Sequence, residues 1–166
     1  MPYKIAGKLA VKARSNVHDT TTVWDKISGD AEVDPDALET AKATFAVDMT
    51  SFDAGDWLKN RKLRKDFDLD QHATATFSLE GVSDIVRDGT KFEAKAKGTL
   101  QWRGKSVPLE LVGKGTLDKQ RLAANATFTL DIKLLGLQAP KLFMFKMEDV
   151  VTVEVAITGV ASGVAS

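Results

Sequence analysis

Residues 91–103 read KFEAKAKGTLQWR, and charged or polar residues alternate in this stretch with apolar or small ones. The even positions include Phe92, Leu100 and Trp102, whereas the odd positions include Lys91 and Glu93. Successive side chains of a β-strand point to opposite faces, so this period of two predicts a strand with one dry and one wet face. In a helix the same sequence would place charged and apolar side chains on one face.

The same alternation recurs along most of the chain. It predicts eight strands, at residues 3–13, 22–33, 41–50, 73–86, 91–103, 106–117, 121–133 and 149–158. Turn-forming sequences such as Arg87-Asp88-Gly89 and Asp118-Lys119-Gln120 separate most of them. Short turns join antiparallel neighbours, and closure into a barrel removes the edges that an open sheet or a sandwich would leave. We therefore predict an all-β fold, an eight-stranded antiparallel barrel in which residues 1–166 form a single domain.

Two stretches interrupt this alternation. Residues 53–70 hold good helix formers such as Leu58, Lys62 and Leu63, and Asp56 is suited to cap a helix. We predict a short helix here, inserted between the third and fourth strands. The second irregular stretch is 134–147, and the tail 161–166 is expected to fray.

The composition limits the classes of function. The 166 residues include 23 Lys+Arg and 23 Asp+Glu, so the basic excess typical of nucleic-acid-binding proteins is missing. The chain has no Cys and two His, His18 and His72, which excludes Cys-ligated and multi-His metal sites. No apolar run approaches the roughly 20 residues of a membrane-spanning helix. We expect neither nucleic acid nor a metal ion as a partner.

The beginning of the sequence runs directly into alternating residues and lacks the apolar stretch of an export signal. Two interpretations stay open: a cytoplasmic protein, or a mature exported form given a new start methionine.

Three local patterns match catalytic or ligand-binding motifs only in part. Asp66, Asp68 and Asp70 alternate as in a calcium loop, but the glycine and the glutamate that an EF-hand requires are missing. Residues 113–116, GKGT, fall in a predicted strand, where glycine marks a bend rather than a phosphate site. Neither His18 nor His72 accompanies a nucleophile, so we expect loop histidines. We predict no catalytic residue and no enzyme.

Five basic residues lie within seven positions of the predicted helix. The favoured interpretation is a solvated helix face balanced by nearby aspartates, and the alternative is a patch for an anionic head group or membrane surface. The five are Lys59, Arg61, Lys62, Arg64 and Lys65.

Small side chains occupy many positions on the predicted dry faces. An eight-stranded barrel is filled by large side chains or, where they are missing, holds one small ligand. Apolar cavities of this kind stay dry and accept apolar guests. We therefore predict an internal apolar cavity, and the alternative is that small residues mark a closed, tapered end or strand bends. The small residues are Ala13, Ala31, Ala41, Ala43, Ala73, Ala75, Ala94, Ala96, Gly98, Ala124 and Ala126.

Two blocks of the sequence resemble the signature of the YceI-like family. The first contains Ser51-Phe52-Asp53-Ala54-Gly55-Asp56, Leu63-Arg64, Asp66-Phe67 and Thr76-Phe77, and the second is GTLQWRGKSVPL at 98–109. The end of the chain, with Leu135-Gly136-Leu137, Pro140 and residues 150–157, is also similar. The resemblance implies a lipocalin-like barrel that binds a polyisoprenoid or a similar long apolar molecule. It also implies a bacterial protein of the periplasm.

The chain departs from this family pattern beside the expected barrel mouth. Where relatives commonly have Arg-Asp and His-Leu, this chain has Lys59-Asn60 and Lys62-Leu63, and Asn60 carries no charge to match Lys59. Ala73 replaces the proline usual before the fourth strand, and Phe67-Asp68 replaces a double phenylalanine. These differences bear on the ligand rather than on the fold.

The leading hypothesis is a non-catalytic carrier, without a catalytic cofactor, for a polyisoprenoid, an isoprenoid quinone, a fatty acid or a similar lipid. The alternatives are a barrel enzyme that uses His72 or a mouth aspartate as base on a lipid-like substrate, and a ligand-free interaction module. The expected partner is an apolar small molecule, with transient membrane-surface contact and a homodimer as open alternatives. The residues predicted to contact the ligand inside the barrel are Leu9, Val11, Phe45, Met49, Phe77, Ala96, Leu100, Trp102, Leu109, Ala126, Phe128, Leu130 and Val153.

Two irregular segments carry further apolar residues that have no strand face to bury them. We expect these residues to form an apolar lip around one barrel end, in which methionine adapts to different guests. Lys59 and Lys62 would stand at its rim and attract an anionic or carbonyl head group. The alternative is that the same residues fill a closed end. The lip consists of Trp57, Leu58, Leu63, Leu142, Phe143, Met144 and Phe145.

Overall fold

Eight long strands make up most of the structure, a computed structural model. It describes residues 2–13, 20–55, 57–136, 141–142, 145–146 and 149–161, and of residues 20, 66, 141, 142, 145 and 146 only the backbone. The eight predicted strands are confirmed, with ends that differ by a few residues. They are β1 (Pro2–Ala13), β2 (Thr20–Glu32), β3 (Lys42–Asp48), β4 (Thr74–Asp88), β5 (Lys91–Trp102), β6 (Lys105–Leu117), β7 (Arg121–Asp131) and β8 (Val150–Ala161).

The strands close into an antiparallel barrel, as predicted. Each strand from β2 to β8 pairs with its neighbour in sequence, and β1 pairs with both β8 and β2. The strand β3 is short, and the two-residue strand Phe52–Asp53 extends the same wall by pairing with Val23 and Trp24 of β2. The tight turns that the sequence predicts between β4 and β5, β5 and β6, and β6 and β7 join these hairpins.

A helix, α1 (Trp57–Asp66), lies between β3 and β4, where the sequence predicts it. The predicted cap Asp56 lies outside the described residues. Short 3₁₀ helices occur at Leu38–Thr40, Met49–Ser51 and Ile132–Leu135, and Lys141–Leu142 pairs with Phe145–Lys146. No helix in the described part of the chain is long and apolar enough to cross a membrane.

The end of β8 extends further than the sequence predicts. Ala161, assigned above to the frayed tail, is the last residue of β8 and is buried against Tyr3 and Leu117 in one apolar cluster. Its amide donates a hydrogen bond to the carbonyl of Gln120 at 2.8 Å, which explains why the strand continues to this point. Residues 162–166 lie outside the described part.

A bulge between β1 and β2 changes which side chains of β2 point inwards. Gly7 pairs with Ile27 but Leu9 pairs with Trp24, so β2 carries one more residue than β1 in this interval. The alternation therefore shifts, because an inserted residue reverses the facing of every side chain beyond it. Unbroken alternation over residues 22–33 predicts that Val23 shares the dry face with Ile27, but Val23 is 36% exposed and Trp24 is buried instead.

Two apolar clusters lie towards the two ends of the barrel. The cluster beside α1, the helix-side cluster, contains Leu69, which is fully buried, together with Leu63 and Leu135. The opposite cluster, the far-end cluster, is built around Tyr3 and Leu117, each 1% exposed. Most inward side chains between these clusters are only partly buried. The middle of the barrel is therefore less tightly filled than its ends.

Candidate functional site

The barrel encloses a cavity of about 340 Å³ between the two end clusters, as the small dry-face residues predict. All eight strands contribute to its lining, which reaches from Val33 and Leu38 at the far end to Ile132 and Leu135 beside the helix. The lining side chains are apolar apart from Asn125. A cavity of this size lies within the range of small-molecule sites, roughly 300–1,000 Å³.

The residues predicted to contact a ligand inside the barrel come together around this cavity. Strand alternation places them on the inner face, except for Met49, which lies in the 3₁₀ helix Met49–Ser51. Closure of the barrel brings them within one space. Those that line the cavity are Leu9, Val11, Phe45, Met49, Phe77, Ala96, Leu100, Trp102, Leu109, Ala126, Phe128, Leu130 and Val153.

The small dry-face residues have several roles. Ala96 and Ala126 line the cavity from β5 and β7, the two strands that flank β6. At Gly98 the Phe77 ring fills the space, since a Cβ there would lie 2.8 Å or less from two of its ring carbons. Ala73 is exposed and precedes β4, so its assignment to the dry face is wrong. The cavity therefore depends on the alanines that face it rather than on every small residue.

Two tryptophans line the helix-side part of the cavity, and the indole N–H group of each is satisfied. The Trp24 Nε1 donates to the carbonyl of Met49 at 3.2 Å, and the Trp102 Nε1 donates to the carbonyl of His72 at 2.9 Å. Because both N–H groups bind backbone carbonyls, the indoles need no polar ligand group to satisfy them. His72 thus takes part through its backbone, and His18 lies outside the described residues.

Sequence reasoning missed some of the lining residues. Trp24 was not predicted to line the cavity, because only the β2 bulge turns its side chain inwards. Phe67 was also missed, because it follows α1, where strand alternation gives no guidance. Val82 lies beyond a second irregularity, between Leu79 and Gly81 of β4. For Trp24 the sequence did contain a sign of this, because Val23 and Trp24 are both apolar and adjacent residues of a strand face opposite sides.

The YceI-like domain family matches residues 6–159. The chain belongs to the YceI-like family. No curated protein sequence matches it at a significant level.

Solved structures share the fold of this chain at low sequence identity. The chain is similar to a polyisoprenoid binding domain from Saccharophagus degradans implicated in plant cell wall breakdown, with a TM-score of 0.78, 17% identity, and coverage of 96% of this chain and 98% of that one. It is also similar to BcnA of Burkholderia cenocepacia, with a TM-score of 0.72, 21% identity and coverage of 90% and 95%. The YCEI protein of Campylobacter jejuni has a TM-score of 0.69, 14% identity and coverage of 85% and 84%.

The helix α1 of this YceI-like chain is fastened to the barrel by Asn60. Its Oδ1 accepts a hydrogen bond from the amide of Ala54 at 2.6 Å, and its Nδ2 donates to Asp53 Oδ1 at 3.2 Å. Asp53 Oδ1 also accepts from the amide of Gly55 at 2.8 Å, and these two donors lower the pKa of the Asp53 carboxyl group. A neutral amide at position 60 can both accept and donate here, which an aspartate could not do when ionised.

The apolar residues of α1 divide between core and surface. Leu63 is 6% exposed and belongs to the helix-side cluster, whereas Trp57 and Leu58 are 68% and 52% exposed and do not line the cavity. Phe143 and Met144 lie outside the described residues, and of Leu142 and Phe145 only the paired backbone is described. The apolar lip therefore stays a prediction, with Leu63 serving as core.

The basic residues of α1 partly pair with neighbours. The Arg61 guanidinium lies over the Trp57 ring at 5.5 Å, and that of Arg64 lies 5.7 Å from the Phe52 ring. Arg64 also bonds Asp70 at 2.9 Å, an exposed ion pair. The balanced, solvated helix face is thus the better description for Arg64.

The site offers little acid–base or metal chemistry among the described residues. The cavity lining there contains no Asp, Glu, His, Lys or Arg. No group of three or more His, Asp or Glu in the described ranges could hold a metal ion. Asp68 and Asp70 are exposed, and Asp68 adopts a positive φ of 50° in the turn after α1. Residues 113–116 lie within β6, as a strand rather than a phosphate loop.

Proposed function

We propose that this YceI-like protein is a non-catalytic carrier that holds a long apolar ligand, such as a polyisoprenoid, an isoprenoid quinone or a fatty acid, inside its barrel. The observation that carries the proposal is the cavity of about 340 Å³ with its apolar lining. Engineered apolar cavities of about 150 Å³ already stay dry and bind a small aromatic guest. This cavity is more than twice as large.

The free energy of such binding would come from burial of the apolar chain. Each CH₂ group removed from water contributes about 0.8 kcal/mol, so a chain of several carbons binds usefully without polar contacts. The partly buried Leu100, Leu109 and Phe128 offer the surfaces against which that chain would pack. The proposal thus needs no anchoring charge in the barrel.

The class of ligand is supported by one relative. The Saccharophagus degradans neighbour is described as a polyisoprenoid binding domain, and its chain is covered almost completely. The enzyme alternative predicts a titratable side chain in the cavity, and no described lining residue favours it. The interaction-module alternative predicts a filled interior, and the presence of the cavity argues against it.

The proposal can be tested by filling the cavity. We expect an Ala96→Leu/Ala126→Leu variant to lose most of its affinity for a fluorescent farnesol analogue, because both side chains would occupy ligand volume. Its stability should change little, whereas overpacking of a filled interior costs about 1–3 kcal/mol per site. Fluorescence titration and urea unfolding measure the two quantities.

A matched control is Ala123→Leu, on β7 three residues from Ala126 but exposed on the outer face. It should bind the probe as the unmodified protein does. Native mass spectrometry of freshly purified protein, with organic extraction, would identify a co-purifying apolar molecule. If the unmodified protein binds neither the farnesol analogue nor a fatty acid, or if the double variant binds equally well, the proposal is wrong.

A further inference from the structure

The two edges of strand β6 differ in pairing. One edge pairs with β5 along its whole length, from Trp102↔Lys105 to Lys91↔Thr116. The other edge pairs with β7 only from Gly113↔Ala126 to Leu117↔Leu122. The facing stretches Lys105–Val112 of β6 and 127–131 of β7 are fully described and have no ladder partner in each other. We call this unpaired interval the seam.

The sequence of β6 explains in part why the seam does not close. Pro108 lies in the unpaired stretch opposite Thr99 of β5. Proline has no N–H group, and within sheets it occurs at edges because it cannot donate to a second neighbour. Lys105, at the start of the same stretch, is charged and exposed, and lysine is common on strands that lack a partner. Pro108 and Lys105 are therefore compatible with a β6 edge that lacks a ladder partner.

The cavity lies directly behind the seam. Leu109 and Leu111 of β6 and Phe128 and Leu130 of β7 line the cavity from the two sides of the unpaired interval. Where the ladder ends, Gly113 leaves open space, since a Cβ there would meet nothing nearer than the Asn125 carbonyl at 3.9 Å.

Asn125 and Val112 lie at the closed end of the seam. Asn125 lines the cavity although both its neighbours, Ala124 and Ala126, face inwards. Its backbone carbonyl oxygen is the atom nearest to the open space at Gly113, so Asn125 borders the cavity through its backbone. Val112, 44% exposed, stands on the β6 side of the same place.

Both ends of the barrel hold packed, buried side chains among the described residues. Tyr3, Leu117 and Ala161 at the far end are 1–3% exposed, and Leu69 and Leu135 at the helix-side end are 0% and 3% exposed. Strand β4 also has a free edge beyond Leu79, but the 3₁₀ helix Leu38–Thr40 packs there.

We propose that the apolar ligand enters and leaves the cavity sideways through the seam between β6 and β7, rather than through either end of the barrel. This inference rests on the proposed carrier function. An apolar chain that passes between Leu109 or Leu111 and Phe128 breaks no β-ladder hydrogen bond between β6 and β7. Passage through an end would require a buried cluster to open.

The absence of native cysteines allows a direct test. Val112→Cys/Thr127→Cys places two thiols at the first unpaired position beyond Gly113↔Ala126. A disulfide there would hold the two strands at the Cα spacing of a closed antiparallel ladder, about 4.5–5.5 Å, which is a spacing that a disulfide can span. The reduced protein is loaded with a fluorescent farnesol analogue, oxidised, and mixed with excess unlabelled farnesol. We expect oxidation to slow probe release about tenfold or more, equivalent to about 1.4 kcal/mol in the barrier, and reductant to restore it.

The matched control is Asp53→Cys/Asn60→Cys, which ties α1 to the strand Phe52–Asp53 at side chains now 3.2 Å apart. Release from this variant should be the same oxidised or reduced. A second measurement needs no disulfide: a bulky maleimide on Val112→Cys should slow release, whereas the same label on Lys97→Cys, an exposed residue of β5, should not.

The results separate the two levels of the proposal. Slowed release from the helix-locked protein, or equal release from the seam-locked and reduced forms together with an inert label at position 112, would overturn the seam as the route. Failure of the reduced, unmodified protein to bind the probe in equilibrium titration would instead refute the carrier function, and with it the inference.

Discussion

The two halves of strand β6 differ in strand pairing and in packing. From Gly113 to Thr116 the strand is paired on both edges, and it ends at Leu117, which is 1% exposed. From Lys105 to Val112 it is paired on one edge, and Leu109 and Leu111 face the cavity. The alternation of apolar and polar residues is the same in both halves. What differs is the pairing with β7, so one strand contributes both to a packed barrel end and to the unpaired wall at the seam.

The largest expected difference in stability is between substitutions at two glycines of this strand, Gly113 and Gly115. A Cβ at Gly115 would lie 1.8 Å from the Ala123 carbonyl oxygen, whereas at Gly113 the nearest atom is 3.9 Å away. We expect Gly115→Val to lose about 4 kcal/mol of unfolding free energy or to fail to fold, since a backbone clash cannot be relieved by a rotamer change. Gly113→Val should lose less than about 1 kcal/mol, because valine favours strands.

Urea unfolding followed by far-ultraviolet circular dichroism measures both glycine variants. Gly113→Val should also weaken binding of the farnesol analogue, since its methyl groups would point into the cavity. Equal losses of stability at the two positions would mean that β7 approaches both halves of β6 equally.

A smaller effect is expected from leucine truncation in the two halves. Leu117→Ala should cost about 3 kcal/mol, because it leaves a hole in a fully packed cluster. Leu111→Ala should cost about 1 kcal/mol, because the side chain already borders empty space and is only half-buried. Thermal unfolding monitored by calorimetry gives both values. A cost for Leu111→Ala as large as that for Leu117→Ala would indicate that the cavity is filled by side chains in solution.

The inward-facing residues of both halves can be predicted from the sequence, but the point at which β7 leaves β6 cannot. Local alternation is enough to place Leu100 and Trp102 on an inner face, since side-chain direction in a strand depends only on parity. Turn residues such as Asp118 and Gly104 fix antiparallel neighbours, from which closure follows. These features are local, and the structure confirms them.

The remaining features depend on contacts between distant residues. The inward turn of Trp24 follows from a bulge against β1, and the difference between Gly113 and Gly115 follows from where β7 leaves β6. Neither feature can be recognised from the residues of its own segment alone. Pro108 was visible in the sequence, yet its meaning as an edge residue required knowledge of which neighbour was missing. The site was therefore predictable as a set of lining residues, and the access route was not.

The smallest expected effect concerns acid, and it should act on the packed half alone. Asp118 follows β6, and its Oδ1 accepts hydrogen bonds from the amides of Gln120 at 2.7 Å and Arg121 at 2.8 Å. These two donors lower the pKa of its carboxyl group below the unfolded value. A lowered folded pKa means that the carboxylate adds stability above the unfolded pKa, about 3.9, and that this contribution is lost as the pH falls through the folded pKa.

Asp118→Asn should therefore be less stable than the unmodified protein near neutral pH, and the difference should vanish at a pH below the folded pKa. Asp118→Ser, whose hydroxyl accepts the same bonds without titrating in this range, should show the same convergence. Urea midpoints measured from neutral to acidic pH give the comparison. The described lining of the cavity has no titratable side chain, so the affinity for the farnesol analogue should stay constant over the range in which the protein remains folded. A binding constant that changes with pH while the urea midpoint does not would place an ionisable group at the ligand. It would contradict the expectation that acid acts on the packed half of β6 and not on the half that lines the cavity.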